Sequence, residues 1–333
     1  MKKASVLVTG ASGFVGQWLV RRLVQEGHQV KALVRSPQDQ DHSAKEGAVA
    51  VLGDVTDLAS LQTHFAGLDS VFHLAGCISY RRVDRPLMEK VNVEGTQNVI
   101  AACRSAGVRR LVHMSSVVAV GALENPNSHP LTEDSEYNLH AYDLGYFETK
   151  LAAEKLVLAA CAAGQLSGVI LNPSTIYGAG DAEKGSRSNQ IKVAQGRMKL
   201  YPPGGVNIVA VEDVIDGTLA AWQAPVSGRR YILSGENMTL HQTFQIIAEI
   251  AGSKPPQIPI TKSLLLAYGA LEDWRARQGQ PSKFSRDNAR AAVLYHWFDS
   301  FRAQRELQFK PRPAREALAA SVNWMQAQGL LQK

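Results

Sequence analysis

A tyrosine and a lysine in the middle of the chain have a spacing that suits proton transfer. Tyr146 and Lys150 begin a segment with helical periodicity, and residues four apart share one face of a helix. An isolated tyrosine has a pKa of about 10 and is a poor acid or base at neutral pH. A nearby ammonium would favour the phenolate and lower that pKa. The pair predicts an acid–base site, whereas Tyr142 has no lysine four residues later.

A glycine-rich segment near the N-terminus has the properties of a phosphate-binding turn. Gly10, Gly13 and Gly16 follow a short apolar strand pattern and precede an amphipathic helix pattern. Without side chains, the backbone N–H groups and the helix N-terminus can approach a pyrophosphate closely. The segment therefore predicts a dinucleotide-binding turn formed by Gly10, Ser12, Gly13, Phe14, Val15 and Gly16.

The end of the second strand pattern is where dinucleotide-binding folds contact the adenosine ribose. The sequence there is Leu33-Val34-Arg35-Ser36, without an Asp or Glu to accept a hydrogen bond from a ribose 2′-hydroxyl. Arg35 instead offers a planar guanidinium that suits a 2′-phosphate, although a surface arginine at a strand end is the alternative interpretation. We predict NADP as the cofactor, with NAD as the alternative and Lys45 as a further candidate contact.

These residues fall between short apolar strands that alternate with amphipathic helices, a pattern typical of a parallel sheet with crossover helices. The strands are apolar without interruption, as expected where both sheet faces are covered. The predicted strands are Val6–Val8, Gln29–Val34, Ala48–Leu52, Ser70–Leu74, Arg110–Met114 and Ser167–Leu171. The predicted helices are Val15–Glu26, Leu58–Phe65, Met88–Ala106 and Gly145–Ala163.

Polar loops interrupt this alternation at 121–138 and 178–205, and mostly helical patterns follow Pro255. Such insertions are expected over the open end of the sheet, where doubly wound folds bind ligands. The predicted fold class is α/β, a doubly wound parallel (Rossmann) sheet with a smaller, mostly helical C-terminal substrate lobe. The predicted domains are 1–175 with a returning segment at about 206–233, and a lobe of 176–205 and 234–333.

Taken in order, the motifs resemble those of the extended short-chain dehydrogenase/reductases. The T-G-x-x-G-x-x-G spacing of Thr9–Gly16 is typical of extended members, and Asn92–Val99 looks like their N-V-x-G-T-x-N helix. Asn172–Gly178 is similar to their R-P-x-x-[VI]-Y-G segment. Asn172 replaces the arginine, as in the dihydroflavonol-reductase-like branch, and Val211–Val214 resembles the V-D-D-V of that branch. The resemblance covers about residues 4–250 and is weak beyond Pro255.

The resemblance implies a third catalytic group. Val112–Gly121 is similar to the [ST]-S-S-x-x-x-[YL]-G pattern of the family, in which Ser116 matches the catalytic hydroxyl. Ser116 would hydrogen-bond the substrate oxygen and stabilise the charge that develops there. Ser115 is expected to face the cofactor. The implied catalytic residues are Ser116, Tyr146 and Lys150, and Lys150 would also hold the nicotinamide ribose.

Further cofactor and substrate residues follow from the same resemblance. Asp54 matches an acid that meets the adenine amino group, although a simple turn residue is an equally good interpretation. His73 is interpreted as a core histidine. The other implied cofactor residues are Val55, Leu74, Ala75, Gly76, Ser115, Lys150, Pro173, Ser174 and Thr175. The candidate substrate-pocket residues are Cys77, Ile78, Ser79, Tyr80, Ser116, Tyr146 and Tyr177, with side chains from 185–201 and beyond Pro255.

The predicted reaction is the reduction of a ketone or aldehyde of a small organic substrate, with hydride from NADPH and a proton from Tyr146. The reverse direction is allowed, because the family contains NAD-dependent hydroxysteroid dehydrogenases. An NAD-dependent nucleotide-sugar epimerase is the main alternative, and Arg35 argues against it. A sugar dehydratase would place an Asp-Glu pair where Val117–Val118 stands. A non-catalytic NADP-sensing regulator is disfavoured because the three catalytic residues are present together.

Composition limits the other function classes. The 333-residue chain is 45% hydrophobic and carries a formal charge of +6. Many of its basic residues lie toward the C-terminal end, where we expect a solvated surface or an anion-binding surface. The sequence has no zinc-ligand or RNA-binding pattern, so we predict no metal and no nucleic-acid partner. Three isolated cysteines and the lack of a signal segment predict a cytoplasmic protein. No run reaches the roughly 20 residues of a membrane span, while peripheral contact through Leu264–Leu271 and a homodimer stay open.

Overall fold

The computed structural model describes residues 3–39, 46–182, 187–280 and 284–332. Seven of the strands in these ranges form one parallel sheet in the order β3-β2-β1-β4-β5-β6-β10. This result confirms the predicted doubly wound parallel sheet. The strands in chain order are β1 Ser5–Thr9, β2 Gln29–Val34, β3 Val49–Leu52, β4 Ser70–His73, β5 Arg110–Met114, β6 Ser167–Pro173, β7 Thr175–Tyr177, β8 Leu200–Tyr201, β9 Gly205–Ala210, β10 Arg229–Leu233, β11 Glu236–Thr239 and β12 Ile258–Pro259.

The helices cover both faces of the sheet and build most of the C-terminal part. The predicted helix at 88–106 is composite, because a π-helical segment at Glu89–Glu94 precedes its regular portion. Among the described residues, no helix has both the length and the apolarity needed to cross a bilayer. The helices are α1 Phe14–Gln25, α2 Leu58–Phe65, α3 Arg85–Met88, α4 Gly95–Ala106, α5 Gly145–Ala162, α6 Ser188–Ala194, α7 Val211–Gln223, α8 Leu240–Ala251, α9 Lys262–Arg277, α10 Arg286–Ala292, α11 Phe301–Leu307 and α12 Ala314–Ala327.

The central strand β1 shows why the sheet strands are apolar without interruption. Successive side chains of a strand point to opposite faces. Val6 and Val8 join the core formed with α1 and α7, whereas Leu7 joins the core formed with α2, α4 and α5. All three side chains are fully buried. Burial on both faces leaves no solvent-facing position in β1, so its sequence does not alternate with polar residues.

The remaining strands belong to a smaller lobe. β9 pairs with β7 and β11 in a three-stranded sheet, and β8 pairs with β12. The side chains of α8 and α12 pack on this sheet around Ile208, Phe244 and Leu318. Of the predicted returning segment at 206–233, only β10 pairs with the parallel sheet, while β9 pairs within the lobe. The predicted loop at 178–205 contains α6 and β8.

Candidate active site

The predicted site residues lie at the carboxyl edge of the parallel sheet. β1 leads into the glycine turn, β4 into the Leu74–Gly76 segment, and β5 into Ser116. The chain order reverses between β1 and β4, and such a switch point opens a crevice at the carboxyl ends of the strands. The topology therefore places the predicted cofactor residues and catalytic residues at one crevice.

Two glycines of the turn are required by its own packing, and the third opens onto the crevice. Gly10 has a left-handed backbone with φ +68°, and a Cβ there would lie 2.7 Å from the Ala75 nitrogen. A Cβ at Gly16 would lie 2.1 Å from the Gly10 oxygen. A Cβ at Gly13 would meet only the Gly10 oxygen within 4 Å, at 3.2 Å. Gly13 thus exposes backbone to the crevice at the start of α1, where N–H groups lack helical partners.

A cavity of about 480 Å³ extends from the glycine turn along the ends of β2, β3 and β4. Its lining is formed mainly by backbone and by small or apolar side chains, which fits the adenosine and pyrophosphate portion of a dinucleotide. Nine predicted cofactor residues line it, namely Gly10, Ser12, Gly13, Arg35, Asp54, Val55, Leu74, Ala75 and Gly76. Phe14, Val15 and Gly16 continue into α1; Phe14 packs near Gly178 and Gly180 instead.

Two polar side chains stand at the adenosine end of this cavity. Arg35 is exposed and has no ion-pair partner among the described residues. Asp54 Oδ1 accepts hydrogen bonds from the Thr56 N–H at 2.8 Å and the Thr56 hydroxyl at 2.9 Å. Asp54 therefore both stabilises its own turn and lines the cavity. Lys45, the further candidate contact, lies outside the described residues.

A buried chain of hydrogen bonds fixes the wall beside the glycine turn. Thr96 donates its hydroxyl proton to the Asn92 carbonyl at 2.6 Å, so His73 Nε2–H must donate to Thr96 Oγ1, 3.0 Å away. His73 Nδ1 then accepts from the Thr9 hydroxyl at 2.8 Å, and Thr9 accepts from the Ala75 N–H. Burial, with a smaller effect of Lys150, lowers the pKa of His73 to about 3. His73 is a neutral core residue, as the sequence indicated.

Helix α5 and the turn after β5 bring the predicted catalytic residues together. Burial and the nearby Tyr80 raise the pKa of Tyr146, and the Ser116 hydroxyl lowers it by less. Lys150 is buried, and its Nζ donates to the Met114 carbonyl at 2.8 Å. A Cβ added at Gly76 would lie 4.0 Å from that Nζ. The ammonium therefore lies against the cofactor wall.

The net effect on Tyr146 differs from the expectation of a lowered pKa. The phenol is 9% exposed, and removing a charge-bearing group from water disfavours its ionised form. The pKa of Tyr146 is raised well above its ordinary value, with burial as the largest cause. Burial lowers the pKa of Lys150 to about 8, against an opposing effect of Glu154. The spacing in the sequence indicated that Tyr146 and Lys150 are neighbours, but it did not indicate how deeply the two side chains are buried.

Glu154 is a buried carboxylate that the sequence analysis missed. It lies one turn beyond Lys150 on α5 and is 1% exposed. Its Oε2 accepts from the Ser115 hydroxyl at 2.8 Å and from Asn172 Nδ2 at 2.7 Å. Its Oε1 accepts from Arg230 Nη1 at 2.9 Å. The i, i+4 spacing from Lys150 on an otherwise apolar helix face was the available signal.

Ser115 consequently has a different position from the expected one. Its side chain is 5% exposed and points to Glu154, and it does not line the cavity along β2 to β4. Asn172, the departure from the arginine of the family pattern, supports the same carboxylate and also donates to the Ser116 carbonyl at 3.0 Å. The hydrogen bond from Asn172, a residue of β6, attaches the turn at Ser116 to that strand.

The segment after β6 supplies one buried polar atom that is not satisfied. Ser174 is 8% exposed, and its Oγ has no hydrogen-bond partner among the described residues. Its N–H donates to the Leu233 carbonyl at 3.1 Å. Pro173 ends β6 and Thr175 begins β7. No contact among the described residues explains this buried hydroxyl.

The substrate side of the crevice begins at Cys77. Asn92 clamps this residue by accepting from its N–H at 2.7 Å and donating to its carbonyl at 2.9 Å. Asn92 also donates to Thr149 at 3.1 Å, between the two predicted catalytic residues of α5. Tyr80 stands edge-on to Tyr146 with ring centroids 6.4 Å apart, and burial raises the pKa of Tyr80 to about 12.

Two predicted substrate residues have other contacts. Ser79 donates its hydroxyl proton to Asp84 at 2.7 Å. Tyr177 is 2% exposed and belongs to the core of the small lobe. The Arg187 guanidinium lies 3.9 Å from the Tyr177 ring centroid, and Gln190 donates to the phenol at 3.2 Å. Gly185 and Ser186, at the start of the candidate segment 185–201, lie outside the described residues.

The sequence and the fold of this chain can be compared with those of known proteins. Residues 6–234 match the model of the NAD dependent epimerase/dehydratase family. The chain belongs to this family. It is an extended short-chain dehydrogenase/reductase and an NAD(P)-dependent oxidoreductase of that type.

Relatives cover the whole chain. Sterol demethylase protein B of Methylococcus capsulatus is 32% identical over 98% of this chain and 100% of its own length. The 2-alkyl-3-oxoalkanoate reductase of Stenotrophomonas maltophilia is 31% identical, over 92% and 94% of the two chains. The crystal structure of gox2253 superposes with a TM-score of 0.87 at 33% identity, over 99% of this chain and 100% of that one.

Proposed function

We propose that the protein reduces a ketone or aldehyde of a small organic substrate with NADPH. Arg35 carries the cofactor assignment: it is exposed, lines the adenosine end of the cavity, and has no ion-pair partner among the described residues. A guanidinium in that position suits a 2′-phosphate. Relatives that carry the names 2-alkyl-3-oxoalkanoate reductase and ketoreductase support the reductive direction.

Bound NADPH would supply the hydride at the nicotinamide end of the crevice. The Ser116 hydroxyl would hydrogen-bond the substrate oxygen and orient the carbonyl. Tyr146 would donate its proton to that oxygen, and its raised pKa keeps the phenol protonated before the reaction. Lys150 would hold ribose hydroxyls with its ammonium, while Ser174 offers a buried hydroxyl for a further ligand contact.

We also propose a division of roles along the chain. The expected cofactor domain of 1–175 contains the cavity lining and the three catalytic residues. The expected lobe of 176–205 and 234–333, together with Tyr80 and Ser79, would determine which substrate fits. Cys77 and Ile78 would lie between these two parts of the site, because both line the cofactor cavity and directly precede Ser79 and Tyr80 in the chain.

The second candidate is an NAD-dependent nucleotide-sugar epimerase. MoeE5, whose structure contains UDP-glucuronic acid and NAD, superposes with a TM-score of 0.75 at 26% identity over 97% of this chain and 99% of that one. The observation against this candidate is Arg35, since an epimerase that retains NAD has no 2′-phosphate to bind. A non-catalytic NADP sensor is the third candidate.

Nucleotide titration separates the two NADP-binding candidates from the NAD-dependent epimerase, and the activity of a Tyr146→Phe variant separates the reductase from the sensor. We would follow the fluorescence of NADPH and NADH with the wild-type protein, Arg35→Ala and the control Arg104→Ala, an exposed arginine that does not line the cavity. Loss of a charge-assisted contact should weaken NADPH binding by about tenfold or more in Arg35→Ala only. NADH binding should not change. A preference of the wild type for NADH, or tightly bound NAD that copurifies, would favour the epimerase.

A further inference from the structure

Helix α9 presents apolar side chains to solvent along one face. Leu264, Tyr268, Leu271 and Trp274 are 63%, 48%, 51% and 58% exposed. Their spacings of four, three and three residues align them on one side of a helix. Isolated exposed apolar residues are ordinary, whereas a contiguous set marks an interaction surface. We call these four residues the α9 stripe.

The opposite side of α9 is the one that packs against the protein. Leu265 is buried in a small core with Ala289 and Val293. A Cβ added at Gly269 would lie 2.8 Å from the Ala289 side chain, so α9 and α10 approach closely there. The packed face of α9 is thus already occupied by α10, and the α9 stripe is a second, outward apolar face.

The apolar surface continues toward the active-site crevice. Val83 is 71% exposed and lines a cavity of about 710 Å³ together with Ala276 and Phe284, next to the end of α9. Ile78 is 67% exposed and Leu87 is 52% exposed, and both line the cofactor cavity. Exposed apolar groups therefore occur both beside the end of α9 and at the cofactor cavity, and basic side chains lie among them, because Arg81, Arg82 and Arg277 also line the cavity beside α9.

The charges around the stripe identify its partner. Lys262 and Arg277, at the two ends of α9, and Arg286, at the start of α10, are exposed. In the described ranges none of the three side chains has a carboxylate at ion-pair distance. The acidic residues of α9 are Glu272, which pairs with Arg275, and Asp273, which accepts from the Arg286 N–H at 3.2 Å, so positive charge is in excess around the stripe. Two copies of this face would bring like charges together, whereas an anionic lipid surface would attract them. Tyr and Trp beside Leu are also the side chains favoured at the membrane interface.

We propose that the α9 stripe docks the protein on the surface of an anionic lipid bilayer. The helix would lie in the headgroup region with its stripe toward the acyl chains, and Lys262, Arg277 and Arg286 would contact lipid phosphates. The entrance of the crevice at Ile78, Val83 and Leu87 would then face the bilayer. This docking is independent of which nucleotide or substrate the site binds.

Vesicle cosedimentation tests this surface. The full chain is mixed at low salt with vesicles of phosphatidylcholine alone, or of phosphatidylglycerol and phosphatidylcholine in equal parts. The variants are Leu271→Ser/Trp274→Ser and Lys262→Gln/Arg277→Gln. The matched control is Phe301→Ser on α11, which replaces another aromatic residue of 62% exposure. All substituted side chains are exposed, so thermal midpoints and NADPH titration should match the wild type.

We expect binding to the anionic vesicles that declines with added salt. The stripe variant should lose at least about tenfold in affinity, the charge variant about fivefold per residue, and Phe301→Ser nothing. Equal sedimentation of the stripe variant, or no wild-type sedimentation at low salt, would overturn the proposal. A dimer in sedimentation equilibrium that the stripe substitutions dissociate would assign the face to a second copy instead. Neither result changes the nucleotide assignment, which has its own titration.

Discussion

The two sides of the active-site crevice are held by different kinds of contact. On the cofactor side, Thr9, His73 and Thr96 form a directional chain of hydrogen bonds that is fully buried. On the substrate side, the Cys77 segment is also held by hydrogen bonds of the buried Asn92, but the 82–85 segment beyond it is joined to the turn before α5 through ion pairs of Asp143 with Arg82 and Arg85. These side chains are between 38% and 49% exposed.

This difference indicates which side of the crevice is adaptable. A buried hydrogen bond is costly to break, because the separated groups cannot turn to water. An exposed ion pair contributes little and is weakened by salt. The cofactor side is therefore fixed in one arrangement, whereas the 82–85 segment on the substrate side can change its contacts at small cost.

The largest expected effect lies where the two sides meet. Tyr146→Phe would remove the proposed proton donor and should lower kcat by about 10²–10⁴-fold, with the affinity for the nicotinamide nucleotide retained because the cofactor wall is untouched. Tyr142→Phe is the control, since Tyr142 contacts Glu124 instead of Ser116. Single-turnover kinetics with a reducible carbonyl compound would measure the step. Unchanged turnover in Tyr146→Phe would contradict the catalytic assignment.

The next effect concerns the buried carboxylate behind the catalytic helix. Glu154→Gln leaves Arg230 without its charged partner and should lower the free energy of unfolding by about 3 kcal/mol. Arg230 also donates hydrogen bonds to the Glu133 and Ser135 carbonyls. These bonds remain in the variant and limit the loss of stability. Urea denaturation measures it, with Glu148→Gln on the same helix as the control. A loss as small as that of the control would mean that Glu154 is not structurally important.

The same variant should change the pH profile. The pKa of Lys150 is about 8, and Glu154 raises it. The ammonium is therefore present below about pH 8, and kcat/KM should decline above it. In Glu154→Gln the decline should move to lower pH, which a purely structural role would not produce.

An effect that is absent at neutral pH and grows only as the solution becomes acidic is expected from the histidine of the buried chain. The pKa of His73 is about 3, below its ordinary value of 6.5, so between these values the unfolded chain binds a proton that the folded protein does not. Stability should therefore fall as the pH decreases from 6.5 toward 3, by about 1.4 kcal/mol per pH unit for this residue. His73→Gln should have a shallower dependence in urea denaturation at several pH values. An identical slope would contradict the neutral buried state.

The smallest effect is expected on the substrate side. Asp143→Asn removes both exposed ion pairs but retains a residue that tolerates the left-handed backbone at φ 50°. The free energy of unfolding should change by only about 0.2–1 kcal/mol, and added salt should abolish the difference. Denaturation at low and high salt would measure it. A loss comparable with that of Glu154→Gln would remove the distinction between the two sides.

Much of the parallel sheet could be predicted because its signals are local. Gln29–Val34 and Arg110–Met114 are strands with the predicted bounds, since a short apolar run flanked by turn residues has few other solutions. Gly10 and Gly16 were predicted from the cofactor motif, but the structure adds that each is needed for close backbone packing. A side chain at either position would strike neighbouring backbone atoms, so the sequence is restricted even before a ligand binds.

The roles of several polar residues could not be predicted in this way. Ser115 was expected to face the cofactor, but its hydroxyl donates a hydrogen bond to Glu154. Tyr177 was expected to contact the substrate, but it is buried in the core of the small lobe. Each of these contacts joins residues that are far apart in the sequence or on different elements. A motif specifies the residue type, but the direction of its side chain depends on the partners that the fold brings near.

The sequence by itself determined the alternation of strands and helices, the glycine turn and the family of the chain. The tertiary structure decided the burial that raises the pKa of Tyr146 and lowers that of Lys150. It also decided that the apolar residues of α9 divide into a packed face and an exposed α9 stripe. Periodicity depends on neighbours in the chain, whereas burial and exposure depend on which distant surfaces come into contact.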